Sequence, residues 1–282
     1  MIQSNRKDGV YMISTGQHLK RNRTRIREWI IAEIFGLISL LLLGIIWLFE
    51  KDKQRELLIA AAASMKPAME ELLEEYRKKQ PDITIQITYA SSGTLEQQIR
   101  QGAPIDVFIS AAVEIMDSLS KDKLIIDKSK VDILKNQLVL IEPANSKSKP
   151  QGFDDLPKAG IISMGDPNSV PAGKYAYEVC TSLGIWDEME KFIIYGKDVT
   201  EVLTWVASGN VDAGMVYSTD ASLTDKVRIV AYAPEESHSK IIYCAAVING
   251  SKEEKAGIEF INYLLSQKAQ EIFFKYGFLP VK

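Results

Sequence analysis

The stretch LLIAAAASMKPAMEELLEEY, residues 57–76, contains in order a short apolar run, a turn of small residues and a segment with helical apolar spacing. The run Leu57–Ala61 has the length and composition of a buried strand. After Ser64 the apolar residues recur three or four positions apart and glutamates fill positions between them, which predicts an amphipathic helix. A strand followed at once by a helix is the repeating unit of α/β proteins, so this stretch predicts an α/β fold.

The small-residue turn between that strand and that helix recurs along the chain. Residues 90–93, 170–173 and 197–200 each precede a segment of helical spacing, as residues 61–64 do. The first turn of a helix leaves backbone N–H groups without intrahelical partners and carries partial positive charge. Small residues let an oxyanion approach these groups, and serine hydroxyls add further donors. Four such turns predict that several helix N-termini converge on one anion.

Strands and helices alternate along the rest of the chain in two sets. The first set begins at Leu57 and the second at Gln137, and an apolar run at 241–248 is long enough to return the chain to the first set. This alternation predicts mostly parallel sheets flanked by helices, with ligands at the carboxyl ends of the strands. We therefore predict a two-lobed receptor joined by hinge strands. Lobe I comprises residues 57–135 and 244–282, and lobe II comprises residues 136–243.

The N-terminal part of the chain has the features of a membrane anchor. Residues 29–49 form an apolar run in which Glu33 is the only charged residue, and their number is close to the ~20 that a helix needs to span a bilayer. The basic segment 1–28 is then cytoplasmic by the positive-inside rule. Residues 50–56 form a linker to the α/β part, which we expect outside the cytoplasm of a single-pass protein of the cell membrane. Cleavage of the apolar segment as a signal peptide stays open, although no small-x-small site directly follows it.

Composition argues against several other classes of function. The net charge of the chain is −3. The first 50 residues contain seven basic and four acidic residues, a net charge of 7 − 4 = +3. The remainder therefore has a net charge of −6, which disfavours a nucleic-acid partner. His18 and His238 are the only histidines, and a histidine metal site or a serine–histidine catalytic pair has little support. Cys180 and Cys244 are predicted to fill core positions rather than to form a disulfide. We predict a binding protein without a cofactor, not an enzyme.

Eight short motifs extend from about Leu57 to Val281. They are AAAASMKPAM (60–69), YASSGTLEQQI (89–99), GAPIDVFISA (102–111), GDPNSVPAGKYA (165–176), KDV (197–199), AGMVYSTDA (213–221), PEESH (234–238) and KYGF (275–278). Together they closely resemble those of the molybdate-binding receptors of ABC transporters, which have the type II periplasmic-binding-protein fold.

The resemblance implies five residues that bind a molybdate or tungstate oxyanion. Ser64 and Ser92 would donate through their hydroxyls and Tyr217 through its phenol, while Ala172 and Val199 would donate through their main-chain N–H groups. The same residues would contact the metal only through its oxygens. The chain departs from the family at position 93, where many relatives carry a third serine, and in its anchor-like N-terminal segment.

The resemblance further implies that the partner is the membrane permease of an ABC transporter, to which a monomeric receptor delivers its anion. Molybdate, tungstate and sulfate are fully deprotonated dianions at neutral pH, so a site for them should offer only hydrogen-bond donors. A hydrogen phosphate carries a proton and needs an acceptor, for which Asp198 is the nearest candidate. We expect Asp198 instead to cap the helix that follows it, in a capping pair with Glu201.

Other readings of these residues stay open at the level of sequence. The chain could bind another tetrahedral oxyanion such as sulfate, or it could be a membrane-tethered oxyanion sensor that serves no transporter. A hydrolase using Ser64 or Ser92 would need a base, for which His238 is the candidate. Both serines could also be plain helix N-caps, and Tyr217 could be a strand residue that only packs.

Overall fold

The computed structural model describes residues 33–42, 55–146 and 150–281. The chain divides into two compact units, Met1–Gln54 and Arg55–Lys282, and the site lies in the second. Residues 33–42 are helical and form α1. In the parts of the chain that the structure describes, no helix is both long and apolar enough to cross a bilayer.

The predicted N-terminal segments fall mainly outside the described residues. The predicted transmembrane segment 29–49 overlaps them only at residues 33–42, and the basic segment 1–28 lies entirely outside them. The predicted linker 50–56 overlaps them at its last two residues, which already belong to the first strand. A transmembrane helix is therefore not shown by the structure.

The second unit contains ten strands and nine α-helices within its described residues. The strands are β1 Arg55–Ala62, β2 Ile83–Ala90, β3 Val107–Ser110, β4 Val131–Lys135, β5 Leu138–Pro143, β6 Ile162–Gly165, β7 Ile193–Gly196, β8 Ala213–Tyr217, β9 Val227–Tyr232 and β10 Ile242–Val247. The helices are α2 Lys66–Lys79, α3 Ser92–Arg100, α4 Val113–Lys121, α5 Pro171–Ser182, α6 Trp186–Met189, α7 Val199–Ala207, α8 Ser218–Ala221, α9 Glu254–Leu264 and α10 Gln267–Lys275.

The opening stretch folds as its pattern predicts. β1 is buried along most of its length, and a 3-10 turn, Ala63–Met65, connects it to α2. Pro67 stands in the first turn of α2, where its missing N–H costs no hydrogen bond, and the basic residues 77–79 occupy the last turn, where they favour the helix dipole. The face of α2 that is buried against the sheet carries the predicted apolar residues.

The ten strands form two five-stranded sheets. The order is β2-β1-β3-β10-β4 in the first sheet and β7-β6-β8-β5-β9 in the second. Only residues 136 and 137 separate β4 in one sheet from β5 in the other, and the chain returns to the first sheet with β10. The protein is thus a two-lobed α/β molecule with one sheet in each lobe.

Each sheet is mixed: one strand runs against the other four, which share one direction, so the predicted mostly parallel sheet of each lobe contains one reversed strand. In the first sheet β1 pairs in parallel with β2 and β3, but β10 pairs antiparallel with β3 and β4. In the second sheet β5 is the strand that pairs antiparallel with both of its neighbours, β8 and β9. The reversed strand is in each case the one with which the chain enters from the other lobe. It starts at the end of the sheet where its neighbours finish, so it runs against them.

The lobes are packed against each other in this structure. The largest hydrophobic cluster is continuous between them. It contains Ala111 after β3 and Tyr243 on β10, which belong to the lobe of the first sheet, together with Tyr175 on α5 and Tyr217 on β8 in the lobe of the second sheet. The Tyr175 hydroxyl donates to the carbonyl oxygen of Ala111 at 3.3 Å, and the N–H of Gly93 donates to the carbonyl oxygen of Ser169 at 3.0 Å. These contacts cross from one lobe to the other, so the two lobes are closed against each other.

Candidate anion-binding site

The five residues predicted to bind an anion lie around one cavity between the lobes. Ser64 is in the 3-10 turn after β1, and Ser92 is the first residue of α3 after β2. Ala172 lies in the first turn of α5, Val199 begins α7 and Tyr217 ends β8. The other lining residues are Ala62, Ala63, Ser91, Ala111, Val170, Pro171 and Asp198. The structure therefore brings together all five predicted residues.

The cavity is small. Its volume is about 10 Å³ for the centre of a water-sized sphere, which corresponds to a round space of about 2.7 Å radius once the ~1.4 Å radius of water is added. Such a space suits one compact ion of a few atoms. Because the lining residues come from both lobes, the cavity exists in this form only while the lobes are closed.

Ser64 does not cap a helix. The residue at the N-cap position of its 3-10 turn is Ala62, and Met65 takes that position for α2. Ser64 is buried, and its Oγ lies 2.7 Å from the Oη of Tyr243 on β10. The alternative reading of Ser64 as a plain N-cap is therefore wrong.

Ser92 is not a cap either. Ser91 is the N-cap of α3, and its Oγ accepts a hydrogen bond from the N–H of Thr94 at 3.2 Å. The Oγ of Ser92 instead accepts from the N–H of Ala111 at the end of β3, at 3.0 Å. Since this contact uses a lone pair of Ser92 and not its proton, the hydroxyl proton can still be donated into the cavity.

Lobe II contributes main-chain donors from two helix N-termini. Ala172 and Val199 are both in first turns, where a backbone N–H has no intrahelical partner. The predicted capping pair of α7 is confirmed, because the N–H of Glu201 donates to Asp198 Oδ1 at 2.9 Å. The Glu201 carboxylate in turn accepts from the N–H of Lys197 at 2.8 Å. These contacts fix the start of α7 at the cavity.

Among the described residues that line the cavity, Tyr217 has a buried hydroxyl that lacks a hydrogen-bond partner. Tyr217 is 2 % exposed, and its Oη has no hydrogen-bond partner among the described residues although it is buried at the cavity. Burial raises the pKa of this phenol well above its ordinary value, so the group remains a neutral donor. A buried hydroxyl left without an acceptor costs about 1–3 kcal/mol, which an anion in the cavity would remove.

Positive side chains play no part in lining this cavity. None of the twelve described residues that line it is a lysine or an arginine. Lys174, on α5, makes ion pairs with Glu114 at 3.2 Å and with Glu178 at 3.6 Å. Apart from the Asp198 carboxylate, which caps α7, the cavity is therefore lined by neutral groups and helix termini, a lining suited to charge-assisted hydrogen bonds with an anion.

His238 does not serve this cavity as a base. Its Nδ1 lies 2.7 Å from the carbonyl oxygen of Ser239, and it is absent from the described residues that line the cavity. A serine nucleophile needs a base within hydrogen-bond reach, and neither Ser64 nor Ser92 has His238 there. Cys180 and Cys244 are both buried and unpaired as disulfides, as predicted.

Asp220 is a buried carboxyl directly behind Tyr217. Its side chain is 2 % exposed, and its Oδ2 accepts from the N–H of Tyr217 at 3.3 Å. Burial is the largest cause that raises the pKa of Asp220, to about 7, and the charge of Asp198 adds to it while the Tyr217 hydrogen bond acts in the opposite direction. Asp220 therefore changes its charge close to neutral pH.

We expect replacement of Asp220 by asparagine to remove a pH dependence of stability. Between the ordinary pKa of 3.8 and about 7, the unfolded chain ionises this carboxyl but the folded protein keeps it protonated. The stabilisation present below the lower value is lost as pH rises to the upper value, by up to about 4 kcal/mol. Melting temperatures from pH 4 to 8 should thus fall less steeply in Asp220→Asn than in the wild-type protein. Parallel curves for the two proteins would contradict the raised pKa.

Two lobes that close over a small cavity lined by hydroxyls and helix N-termini are the architecture of a solute-binding protein of the transport type. Residues 57–279 match the family model of bacterial extracellular solute-binding proteins. The chain belongs to this family.

Proteins of similar sequence support this membership. The chain is 43 % identical over 229 residues to YvgL of Bacillus subtilis, which carries the provisional name of ABC transporter substrate-binding lipoprotein; the match covers 81 % of this chain and 88 % of YvgL. It is 36 % identical over 226 residues to the molybdate-binding protein ModA of Haemophilus influenzae, covering 78 % of this chain and 88 % of ModA.

Solved structures show the same architecture. A substrate-binding domain from Clostridium difficile, assigned provisionally to a molybdenum ABC transporter, is 44 % identical with a TM-score of 0.64, and the match covers 80 % of this chain and 99 % of that domain. The periplasmic molybdate-binding protein of Azotobacter vinelandii is 22 % identical with a TM-score of 0.72, and the match covers 80 % of this chain and all of that chain. The similarity to the Azotobacter vinelandii protein concerns the fold alone.

Two residues next to the cavity were not singled out from the sequence. Asn136 lies in the short connection between β4 and β5, and Tyr243 lies within β10. A polar residue between two apolar strands is a signal that could have drawn attention to Asn136. Tyr243 gives no such signal, because a tyrosine in an apolar strand is ordinary core packing.

Proposed function

We propose that this protein captures molybdate, and also tungstate, between its lobes and delivers the anion to the membrane permease of an ABC transporter. Ser64, Ser92 and Tyr217 donate their hydroxyl protons to the anion, and Ala172 and Val199 donate their main-chain N–H groups. The observation that carries this proposal is the hydroxyl of Tyr217, which is buried without a hydrogen-bond partner in a residue that lines the cavity. The 36 % identity to a protein named as molybdate-binding supports the choice of anion.

A donor cage is what a fully deprotonated dianion requires. Every oxygen of such a dianion is an acceptor, and the cavity offers two serine hydroxyls, a phenol and helix N-termini that are all able to donate. The one carboxylate of the lining, Asp198, accepts at its Oδ1 from the N–H of Glu201 and so caps α7. Closure of the lobes over the anion buries it and gives the transporter a signal that the receptor is occupied.

Titration calorimetry of the full chain against molybdate, tungstate, sulfate and phosphate tests this function. We expect molybdate and tungstate to bind at least about a hundredfold more tightly than phosphate, because only phosphate brings a proton that the site cannot accept. Sulfate is the nearest alternative, since its charge and shape are shared and only its size differs. Equal affinities for sulfate and molybdate would refute the molybdate assignment, and no binding of any of the four anions would refute the function as a whole.

We also propose that residues 29–49 tether the protein to the cell membrane, with the α/β unit on the extracytoplasmic side. The apolar composition and length of this segment support the tether. After expression of the full chain in bacteria, the protein should remain with the membrane fraction through an alkaline wash. Release of the intact chain into the soluble fraction would show that the segment is no anchor.

Loss of molybdate uptake in cells lacking the protein would separate a transport receptor from a sensor.

A further inference from the structure

Asn136 connects the two lobes and has its amide fixed in one orientation. It is 6 % exposed and is the first of the two residues that connect β4 to β5. Its Oδ1 accepts from the N–H of Gln137 at 2.9 Å and lies 3.1 Å from the Oγ of Ser218, which donates to it. The backbone N–H of Gln137 can only donate, so the atom that faces it must be the amide oxygen.

The other end of the amide therefore presents two N–H donors. Asn136 Nδ2 donates to Thr219 Oγ1 at 2.9 Å and to the Oη of Tyr243 at 3.2 Å. Thr219 directly follows β8 of the second sheet, whereas Tyr243 lies on β10 of the first sheet, so this one amide group bridges the lobes. Since Nδ2 has no lone pair, the Tyr243 hydroxyl cannot donate back to it.

The proton of Tyr243 then has one place to go. Tyr243 is fully buried, and among the described residues its Oη contacts only Asn136 Nδ2 and Ser64 Oγ. Burial raises the pKa of Tyr243 above its ordinary value, so the hydroxyl keeps its proton. The single acceptor within reach is Ser64 Oγ, at 2.7 Å.

Ser64 is thereby left with its own proton free for the cavity. One lone pair of its Oγ is taken by Tyr243, and no other hydrogen-bond partner of this oxygen is found among the described residues. The same arrangement is reached at Ser92, where the inbound donor is the backbone N–H of Ala111. Ser64 differs because the group that donates to it is the Tyr243 hydroxyl, and whether this hydroxyl donates or accepts depends on Asn136.

We propose that Asn136 and Tyr243 are positioning residues: they hold the Ser64 hydroxyl as a donor toward the cavity and so make the site prefer a fully deprotonated dianion to hydrogen phosphate. This inference rests on the proposed function, because it concerns the same cavity. The relay runs from Asn136 Nδ2 to Tyr243 Oη, from Tyr243 to Ser64 Oγ, and from Ser64 to the anion. Neither positioning residue is among those that line the cavity.

The relay can be reversed by one substitution. In Asn136→Asp the group that faces Tyr243 becomes an acceptor, so Tyr243 donates to it and the Ser64 hydroxyl turns to donate to Tyr243. A lone pair of Ser64 then faces the anion in place of a proton. In Tyr243→Phe the inbound donor is removed, so Ser64 can accept as well as donate. Tyr263→Phe is the matched control, because the Tyr263 hydroxyl is buried without a partner in the described structure and lies on α9.

The experiment measures the affinities of molybdate and inorganic phosphate for the full chain, these three variants and the double variant Asn136→Asp/Tyr243→Phe at pH 8, where both anions are dianions. A new charge at position 136 then repels both anions equally and cancels in the ratio of their affinities. The ratio therefore measures whether the Ser64 hydroxyl donates to the anion or accepts from it. We expect the ratio of molybdate to phosphate affinity to fall about tenfold in Tyr243→Phe and further in Asn136→Asp, and to stay unchanged in Tyr263→Phe. In the double variant, Asn136→Asp should change the ratio no further than Tyr243→Phe does alone.

The outcomes separate this inference from the function on which it rests. An unchanged ratio in folded Tyr243→Phe and Asn136→Asp would overturn the relay, while the wild-type protein still binds molybdate. Failure of the wild-type protein to bind molybdate would overturn the proposed function itself. Melting curves establish that each variant is folded, and if Asn136→Asp does not fold, the ratio in Tyr243→Phe decides the question alone.

Discussion

Val199→Pro is expected to weaken molybdate binding by about tenfold to a hundredfold while leaving the fold intact. Loss of a hydrogen bond to a charged acceptor costs about 1.5–3 kcal/mol, and the proline ring places a carbon where the N–H stood. Val199 is the first residue of α7, a position at which proline is favoured and at which the N–H has no intrahelical partner. Asp198 before it is extended, with φ −160° and ψ 172°, as the residue before a proline prefers.

Val199→Ala is the matched control, because it keeps the N–H and removes only side-chain atoms. Val199 is 4 % exposed, so this variant should melt at a lower temperature yet bind molybdate almost as the wild-type protein does. The two variants thus have opposite profiles: the proline loses affinity with little loss of stability, and the alanine loses stability with little loss of affinity. Calorimetry and thermal melting measure both quantities. Wild-type affinity in Val199→Pro would remove this N–H from the site.

The positions of the site residues could be predicted because they depend on local signals. A turn of small residues before a helical pattern marks a helix N-terminus, and such turns contain Ser64, Ser92, Ala172 and Val199. The carboxyl ends of parallel strands meet at one edge of a sheet, so these turns were expected to converge, and they line one cavity. Their binding role is a proposal that the variants above can test.

The remaining features depend on contacts between residues far apart in the chain. The relay joins Ser64 to Tyr243 across 179 positions and Asn136 to Tyr243 across 107 positions, and no local pattern encodes such pairs. The reversed strands β5 and β10 follow from the path of the chain between two lobes, which the alternation of strands and helices leaves undetermined. Sequence patterns thus predict the elements and their termini, whereas the fit between the lobes must be read from the structure.

Gly93→Ala is expected to weaken molybdate binding at least about tenfold without destabilising the unliganded protein. Gly93 lies in the first turn of α3 and is not among the described glycines with positive φ, so alanine fits its backbone conformation and is the better helix former by up to ~1 kcal/mol. In the closed structure, however, a Cβ at this position would lie 2.9 Å from the Cα of Ser169 and still closer to its carbonyl oxygen. Both groups are backbone, so neither can rotate away.

Closure of the lobes therefore requires glycine at position 93, whereas the conformation of α3 does not. An added methyl group must push the lobes apart, which stretches the 3.0 Å hydrogen bond from Gly93 to Ser169 and separates the lobe II donors from those of lobe I. Calorimetry should show the lost affinity, and small-angle X-ray scattering should show a smaller decrease in radius of gyration on adding molybdate. Ser169→Ala is the control: it keeps the carbonyl oxygen that makes the contact and should close and bind as the wild-type protein does. If Gly93→Ala closes fully and binds with unchanged affinity, the lobes do not meet at this contact when the anion is bound.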